Sequence, residues 1–330
     1  MKHILRTFLL FFEVILLAPN IFGQDTNTFA HTFSIVATDP VTGDMAVAVQ
    51  SHWFSVGTIV SWGKSGVGVV ATQSFVNPSY GPEGLLLMEK GVAAPEVLEQ
   101  LVSKDDGRDF RQVAMLDANG TVDAFTGARC VASAGHFVGE HFSVQANMML
   151  NNRVVPAMAQ AFEKHNDLPL AERVLEVLKA AQAAGGDIRG KQSAALIVVG
   201  PEKKENAWED RKVDLRVDDH PEPIAEMERL LTVHRAYEYM NRGDLAVEHG
   251  NMALALQEYA AAEALMPENL EMKYWTAVTL ASNGRLEEAL PIFRIVFNGD
   301  NNWRELTRRL PASGLIDVSD NELQRILELK

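Results

Sequence analysis

Runs in which large apolar residues alternate with small or polar ones occupy the first two thirds of the sequence. Two such runs, 33–37 and 45–49, flank a turn that contains Asp39, Pro40 and Gly43, which is typical of a β-hairpin. Apolar residues at helical spacing follow in several segments. The patterns predict further strands at 56–62, 66–73, 112–116, 121–125, 142–146, 194–199 and 213–217, and helices at 84–90, 95–104, 154–164 and 170–184.

The order of these elements predicts the fold class. Asn119 and Gly120 lie between two predicted strands, and Asn-Gly in that place is a strong hairpin signal. Hairpins, then helices, then strands again are typical of antiparallel sheets covered by helices. We therefore expect an α+β fold over residues 29–223, with the four layers of an αββα sandwich.

The pattern changes after Pro221 and Pro223, where strand signals end and alanine, leucine, glutamate and methionine predominate. Three positions recur after 34 residues, the period of the tetratricopeptide repeat. The recurring pairs are Gly250 and Gly284, Ala255 and Ala289, and Tyr259 and Phe293. The spacing predicts tetratricopeptide-like helical repeats over 224–310 and a C-terminal helix or tail at 311–330. A plain helical bundle with accidental spacing is the alternative.

The first residues have the order of a secretory signal. Lys2 and Arg6 precede an apolar run at 8–17, and polar residues follow Gly23. The run is shorter than the about 20 residues that a membrane-spanning helix needs. We expect a signal peptide over 1–23, no membrane anchor, and a protein that is secreted or periplasmic after cleavage. A buried N-terminal helix is the alternative.

Composition narrows the classes of partner and chemistry. The 330 residues are 47% hydrophobic and 22% charged, as in packed globular proteins, and the net charge is −14. Because an acidic surface repels phosphate groups, nucleic acid and anionic membranes are not expected as partners. Cys130 is the single cysteine, which excludes an intramolecular disulfide and a thiolate zinc cluster. A hydroxyl is therefore a better candidate nucleophile than a thiol.

The sequence lacks the usual phosphate, dinucleotide, hydrolase-elbow and zinc-protease motifs. His136 and His141 are five residues apart, which does not match the spacing of a helical zinc site. No cofactor and no metal are therefore expected.

Several strings in the first domain resemble one family. They are TFSIVA at 32–37, GVGVVATQ at 66–73, NPSYG at 77–81, QAN at 145–147, GGDIRGKQSAAL at 185–196 and VDDHP at 217–221. In combination they are similar to the family known as domain of unknown function 1028, over about 29–231. The fold of that family resembles that of N-terminal nucleophile hydrolases. The resemblance supports the αββα sandwich and implies hydrolysis of amide bonds.

The resemblance also implies a nucleophile. In such enzymes a Thr, Ser or Cys at the start of the first strand attacks the carbonyl, and its own α-amine is the base. Thr32 is the matching residue, and Ser34 on the same strand is a further catalytic candidate. A cut after Gly23 leaves residues 24–31 ahead of Thr32, and an acylated nitrogen is not a base. Either a second cleavage exposes Thr32, or another residue is the nucleophile, or the domain does not hydrolyse amides; a plain strand-edge residue is the structural alternative for Thr32.

The segment 185–193 enters a predicted buried strand and carries Asp187 and Arg189, followed by Gln192 and Ser193. An Asp beside an Arg stays ionised and could orient an ammonium group. A structural ion pair and a catalytic role therefore both fit Asp187 and Arg189. Gln192 and Ser193 are candidate substrate-binding residues.

Side-chain amides at strand ends could donate hydrogen bonds to a developing oxyanion. The candidates are Gln73, Asn77 and Asn147, and turn formation is the alternative for each. His52, next to two aromatic residues, completes the set of candidate substrate-binding residues.

Two hypotheses for function follow. The first is an exported amidohydrolase that acts on a peptide or another small amide, with the helical repeats shaping access or recruiting a protein partner. The second is a non-catalytic protein that holds a ligand or partner with the sandwich and the repeats. A structural assembly module is a weaker third alternative.

Overall fold

Among the described residues, 28–30 and 32–330 of a computed structural model, eleven strands form two antiparallel sheets. In chain order the strands are β1 (Thr28–Ala30), β2 (Thr32–Thr38), β3 (Met45–Ser51), β4 (Ser61–Lys64), β5 (Gly68–Val76), β6 (Arg111–Asp117), β7 (Val122–Thr126), β8 (Gly135–Gly139), β9 (Phe142–Ala146), β10 (Ser193–Val199) and β11 (Arg211–Val217). Sheet A has the order β1-β5-β6-β7, with β4 also paired to β5. Sheet B has the order β11-β10-β3-β2-β9-β8.

The two sheets share an apolar core that alternation along the strands produces. Side chains of one face of sheet B, such as Val36 and Val47, pack in one buried cluster with Val69 and Leu116 of sheet A. Residues that alternate with these point away from that core, since successive side chains of a strand lie on opposite faces. Both sheets are therefore apolar on two faces, which is why helices cover them.

Four helices cover the outer faces, and their bounds are α1 (Tyr80–Glu89), α2 (Ala94–Lys104), α3 (Val154–Lys164) and α4 (Leu170–Ala183). Helices α1 and α2 pack on sheet A, where Leu85 and Val97 share a cluster with Val113 and Met115. Helix α4 contacts β2, β3 and β10 of sheet B, and α3 contacts β8 and β9. The ring centroids of Phe142 in β9 and Phe162 in α3 are 4.4 Å apart. The predicted helical coverage of two antiparallel sheets is present.

The chain divides into two units, Met1–Met227 and Glu228–Lys330. Six helices follow the sheets, namely α5 (Pro223–Glu248), α6 (Met252–Leu265), α7 (Leu270–Ser282), α8 (Leu286–Gly299), α9 (Asn302–Ser313) and α10 (Asp320–Leu327). The signal peptide predicted at 1–23 lies outside the described residues. No helix of the described part of the chain is long and apolar enough to cross a membrane.

The residues that recur after 34 positions have matching places in the second unit. Gly250 and Gly284 end helices with positive φ, 71° and 73°, at the turns before α6 and α8. A left-handed residue after a helix favours glycine because it has no Cβ. The aromatic pair, Tyr259 and Phe293, is buried in two separate apolar clusters. Tyr259 in α6 and Phe293 in α8 lie at the same distance in sequence after the glycine of the preceding turn.

One predicted strand boundary was wrong for a clear local reason, and one strand was not predicted. The strand expected at 56–62 begins at Ser61, because Ser55 is left-handed (φ 54°) and Val56–Thr58 form a short 3-10 turn instead. Strand β8 was not predicted, since its side chains are mostly exposed and carry no alternation of buried and exposed residues.

Candidate active site

A row of four polar side chains crosses one end of sheet B, on the face turned to sheet A. Thr32 at the start of β2 pairs with Ser51 at the end of β3, and Ser51 pairs in turn with Ser193 at the start of β10. On the other side of Thr32, the backbone N–H of Asn147 donates to the Thr32 carbonyl at 3.1 Å. All four residues are fully buried. The fold thus brings together Thr32, Asn147 and Ser193, which the sequence singled out separately.

A second layer of polar residues lies behind this row and connects the two sheets. Ser34 in β2 donates to Gln73 Oε1 in β5 over 2.6 Å, and it accepts from Gln145 Nε2 in β9 over 2.6 Å. Ser143 donates to Gln145 Oε1 at 3.0 Å. Because buried polar groups are costly unless hydrogen-bonded, the connections stabilise an otherwise unfavourable polar core. Ser34 therefore serves this network and lies two residues from Thr32 on the same face.

The side-chain amides hold the backbone of Thr32. Gln73 Nε2 and Asn147 Nδ2 donate to the Thr32 carbonyl at 3.2 and 3.5 Å. Both amides also donate to Gln112 Oε1 in β6, at 2.7 and 2.8 Å. These donors therefore fix the position of Thr32 relative to both sheets.

The backbone is strained directly beside two of these amides. Ser74 follows Gln73 and has φ 72°, and Met148 follows Asn147 and has φ 58°. Left-handed residues other than glycine cost about 1–3 kcal/mol each and cluster at functional sites. Ser74 lies within β5 and Met148 follows the end of β9, so both unusual conformations are next to residues that hold Thr32.

Asp187 lies at the same end of sheet B. Its side chain is fully buried and pairs with Arg189 Nη2 at 2.7 Å. It also accepts from Arg189 Nε at 3.1 Å, from Arg189 N at 2.9 Å and from His52 N at 3.3 Å. His52 follows Ser51, the strand partner of Thr32. The predicted ion pair is present, and it ties the end of β3 to the segment that enters β10.

The residues before β10 hold the loop that follows β3. Gln192 N donates to the Ser51 carbonyl at 3.1 Å, and Gln192 Nε2 donates to Asp219 Oδ1 at 3.2 Å. Ser193 Oγ donates to the carbonyl of Trp53 and accepts from Val56 N. His52 and Gln192 are partly exposed beside the buried row.

Asn77 has a different place from the other candidates. It lies at the turn between β5 and α1, where its Oδ1 accepts from Ser79 N at 3.1 Å. Its carbonyl accepts from Thr72 Oγ1 at 3.1 Å. These bonds are those of a turn residue.

Three further buried polar residues were not predicted as site residues, namely Gln112, Gln145 and Ser51. Each lies on the same face of its strand as buried residues. Gln112 Nε2 also donates to Thr126 Oγ1 at 2.9 Å, and Thr126 Oγ1 lies 2.8 Å from His136 Nδ1. Burial lowers the pKa of His136, and the nearby Asp123 partly opposes this. A polar residue on the apolar face of a predicted strand was the pattern in the sequence that could have identified Gln112 as a buried polar residue.

Within the described residues, no group of three or more His, Cys, Asp or Glu side chains is placed to hold a metal ion.

Cys130 Sγ donates to the Arg111 carbonyl at 3.3 Å. Burial raises the pKa of the Cys130 thiol, and a hydrogen bond with Ser74 partly opposes this. Since the thiolate is the reactive form, the raised pKa disfavours Cys130 as a nucleophile.

Comparison with known proteins relates the chain to solved structures and to one family. No curated protein matches the sequence. The crystal structure of protein SPO2555 from Silicibacter pomeroyi, a DUF1028 protein, is similar with a TM-score of 0.55 and 33% identity, covering 61% of this chain and 88% of that one. The model of the "Family of unknown function (DUF1028)" matches residues 32–227, beginning at Thr32 itself. The chain is therefore a member of the DUF1028 family.

Proposed function

We propose that this protein is an exported amidohydrolase of the N-terminal nucleophile type, with Thr32 as its nucleophile. The observation that carries the proposal is the place of Thr32, the first residue of β2, buried in one row with Ser51, Ser193 and Asn147. Its carbonyl accepts hydrogen bonds from two side-chain amides and one backbone N–H. Helices on the outer faces of both sheets support an αββα sandwich of that type.

The first half of the reaction would form an ester on Thr32. When residue 31 is removed, Thr32 carries a hydroxyl and a free α-amine, whose ordinary pKa is about 8. The amine takes the proton of Oγ1 while Oγ1 bonds to the carbonyl carbon of the substrate amide. The tetrahedral intermediate collapses as its C–N bond breaks, and the ammonium group gives its proton to the leaving nitrogen.

The second half would release the acid. A water molecule gives a proton to the Thr32 amine as its oxygen attacks the ester carbonyl. The bond between that carbon and Oγ1 breaks, the proton returns to Oγ1, and the carboxylic acid leaves. Thr32 is then restored, and the net change is one amide and one water converted to an acid and an amine.

The surrounding residues position the nucleophile in this scheme. Gln73, Gln112 and Asn147 fix the Thr32 backbone, and Ser34 fixes Gln73. Positioning matters because small displacements of a reacting group cost large factors in rate.

Asp187 and Arg189 hold the end of β3, next to the strand partner of Thr32. The two side chains form an ion pair, so neither charge is buried without a partner. His52 and Gln192, partly exposed at this edge, are the candidates to contact the substrate.

The nucleophile can be tested with a panel of N-acetylated peptide aminomethylcoumarin amides of increasing length. A chain that begins at Thr32 should release coumarin, Thr32→Ser should retain part of the activity, and Thr32→Ala should lose it. Thr38→Ala is the matched control, because Thr38 lies at the other end of β2 and its Oγ1 donates to the Asp44 carbonyl. Unchanged turnover by Thr32→Ala would refute the role of Thr32.

Two observations favour the alternative of a non-catalytic binding protein. Thr32 follows β1 after a single residue, so its nitrogen is acylated in the unprocessed chain. The repeated helical spacing of the second unit is typical of proteins that hold partner segments. An exported chain that retains residue 31 and releases no coumarin from any substrate would support this alternative.

A further inference from the structure

The segment before Thr32 belongs to the opposite sheet. β1 pairs antiparallel with the end of β5, with Thr28 opposite Val76 and Ala30 opposite Ser74. Position 31 alone separates β1 of sheet A from β2 of sheet B. The chain therefore leaves sheet A after Ala30 and enters sheet B at Thr32, the residue that the proposed processing would expose.

Arg111 in β6 holds the part of β5 that pairs with β1. Arg111 Nη1 donates to the Phe75 carbonyl at 2.7 Å, and Arg111 Nε donates to Asp105 Oδ2 at 2.9 Å. The Phe75 carbonyl points toward Arg111, on the β6 side of β5. We therefore expect the backbone groups of Ser74 and Val76, on the other side, to make the hydrogen bonds with β1. The end of β5 thus has a defined orientation for an added strand.

We propose that the edge of β5 at Ser74–Val76 binds the acyl side of an extended peptide substrate, in the place that β1 occupies before processing. This inference rests on the proposed function and names its substrate class. The carbonyl of residue 31 is the acyl group bonded to the Thr32 nitrogen. A substrate whose scissile carbonyl takes that place runs antiparallel to β5 and extends over positions 28–30.

Strand addition gives affinity through backbone hydrogen bonds, so several residues must precede the scissile bond. The substrate is accordingly a peptide with at least about three residues before its scissile residue, in line with the three residues of β1. A small amide lacks this backbone and leaves the β5 edge unpaired. β1 lies outside the range matched by the family model, which begins at residue 32.

The binding test uses a peptide with the sequence of residues 24–31, a free carboxylate and a fluorophore at its amino end. Two Thr32→Ala chains are compared by fluorescence anisotropy, one beginning at residue 24 and one at residue 32. We expect the shorter chain to bind the peptide about tenfold more tightly or better, since the longer chain carries its own β1. Equal binding by both chains, or binding by neither, would overturn the proposal.

Two methylated peptides test the strand register. Methylation of the amide nitrogen at Ala30 removes an expected ladder bond and should weaken binding about tenfold, whereas methylation at Phe29 should leave it nearly unchanged. Equal effects at the two positions would contradict strand addition.

The binding assay separates this inference from the proposed hydrolysis. If the peptide binds as expected and no coumarin amide is cleaved, the hydrolase proposal fails and the strand site stands. If cleavage occurs with a rate that is independent of acyl-side length, the strand site fails and the hydrolase proposal stands.

Discussion

Gln112 Oε1 accepts a 2.7 Å hydrogen bond from Gln73 Nε2, and through this bond two neighbouring strands of sheet A jointly fix the Thr32 carbonyl of sheet B. Gln112 Oε1 also accepts from Asn147 Nδ2 at 2.8 Å. One buried side chain therefore serves two of the amides that hold the proposed nucleophile.

Substitution of this acceptor should destabilise the protein. Gln112→Ala leaves the Gln73 and Asn147 amides without their shared acceptor, and unsatisfied buried polar groups cost about 1–3 kcal/mol each. Urea denaturation should show a loss of this size in the free energy of unfolding. Gln100→Ala, at an exposed position of α2, is the matched control and should change the free energy by less than about 0.5 kcal/mol. Equal effects of the two substitutions would show that the buried network does not stabilise the fold.

Gly81 lets α1 approach β4 closely. A Cβ atom at Gly81 would lie 2.3 Å from Cδ2 of the Trp62 ring, whereas a Cβ at Gly135 would meet nothing within 4 Å. Gly81→Ala should therefore cost about 1–3 kcal/mol from overpacking, even though alanine favours helices. Gly135→Ala should stay within about 0.5 kcal/mol of wild type. Thermal denaturation of both variants measures the contrast, and equal melting temperatures would contradict it.

The Asp105 carboxylate should contribute to the acid sensitivity of the fold. Burial tends to raise its pKa, but hydrogen bonds from Arg111 and from Gly107 N outweigh burial and lower the pKa below its usual 3.8. A lowered pKa in the folded state means that the stabilisation is present at neutral pH and is lost as pH falls through the folded-state pKa. Urea midpoints measured from pH 7 to pH 3 should therefore fall more steeply for wild type than for Asp105→Asn. Parallel curves would contradict this assignment.

Cys130 should react slowly with alkylating reagents. Its raised pKa leaves less thiolate at neutral pH than in free cysteine, and the thiolate is the nucleophile. Iodoacetamide at pH 7.5 should modify the native protein more slowly than free cysteine, as followed by intact mass. The same protein in urea should react at the ordinary rate, and equal rates in the two states would refute the effect of burial.

Much of the fold followed from local patterns in the sequence. The strand at 142–146 and the helix at 154–164 have the predicted bounds, because alternation and helical spacing there are regular. Where the backbone has a special conformation, as at Ser55, local pattern alone did not show where the next strand begins.

Several residues of the candidate site were chosen from the sequence, but their spatial arrangement was not predicted. Thr32 and Asp187 were chosen from short motifs, and the register of β2 with β3 brings their segments together through Ser51 and His52. Gln112 was overlooked because a glutamine at a strand start resembles an ordinary polar boundary residue. Its role depends on contacts across two sheets, which spacing along one strand does not reveal.

The most direct test of Thr32 as the nucleophile is the N-terminal residue of the mature protein, read by intact mass and N-terminal sequencing. We predict a mature chain that begins at Thr32, with a free α-amine and with amidase activity. A mature chain that begins at Gln24 and still hydrolyses amides would contradict the role of Thr32.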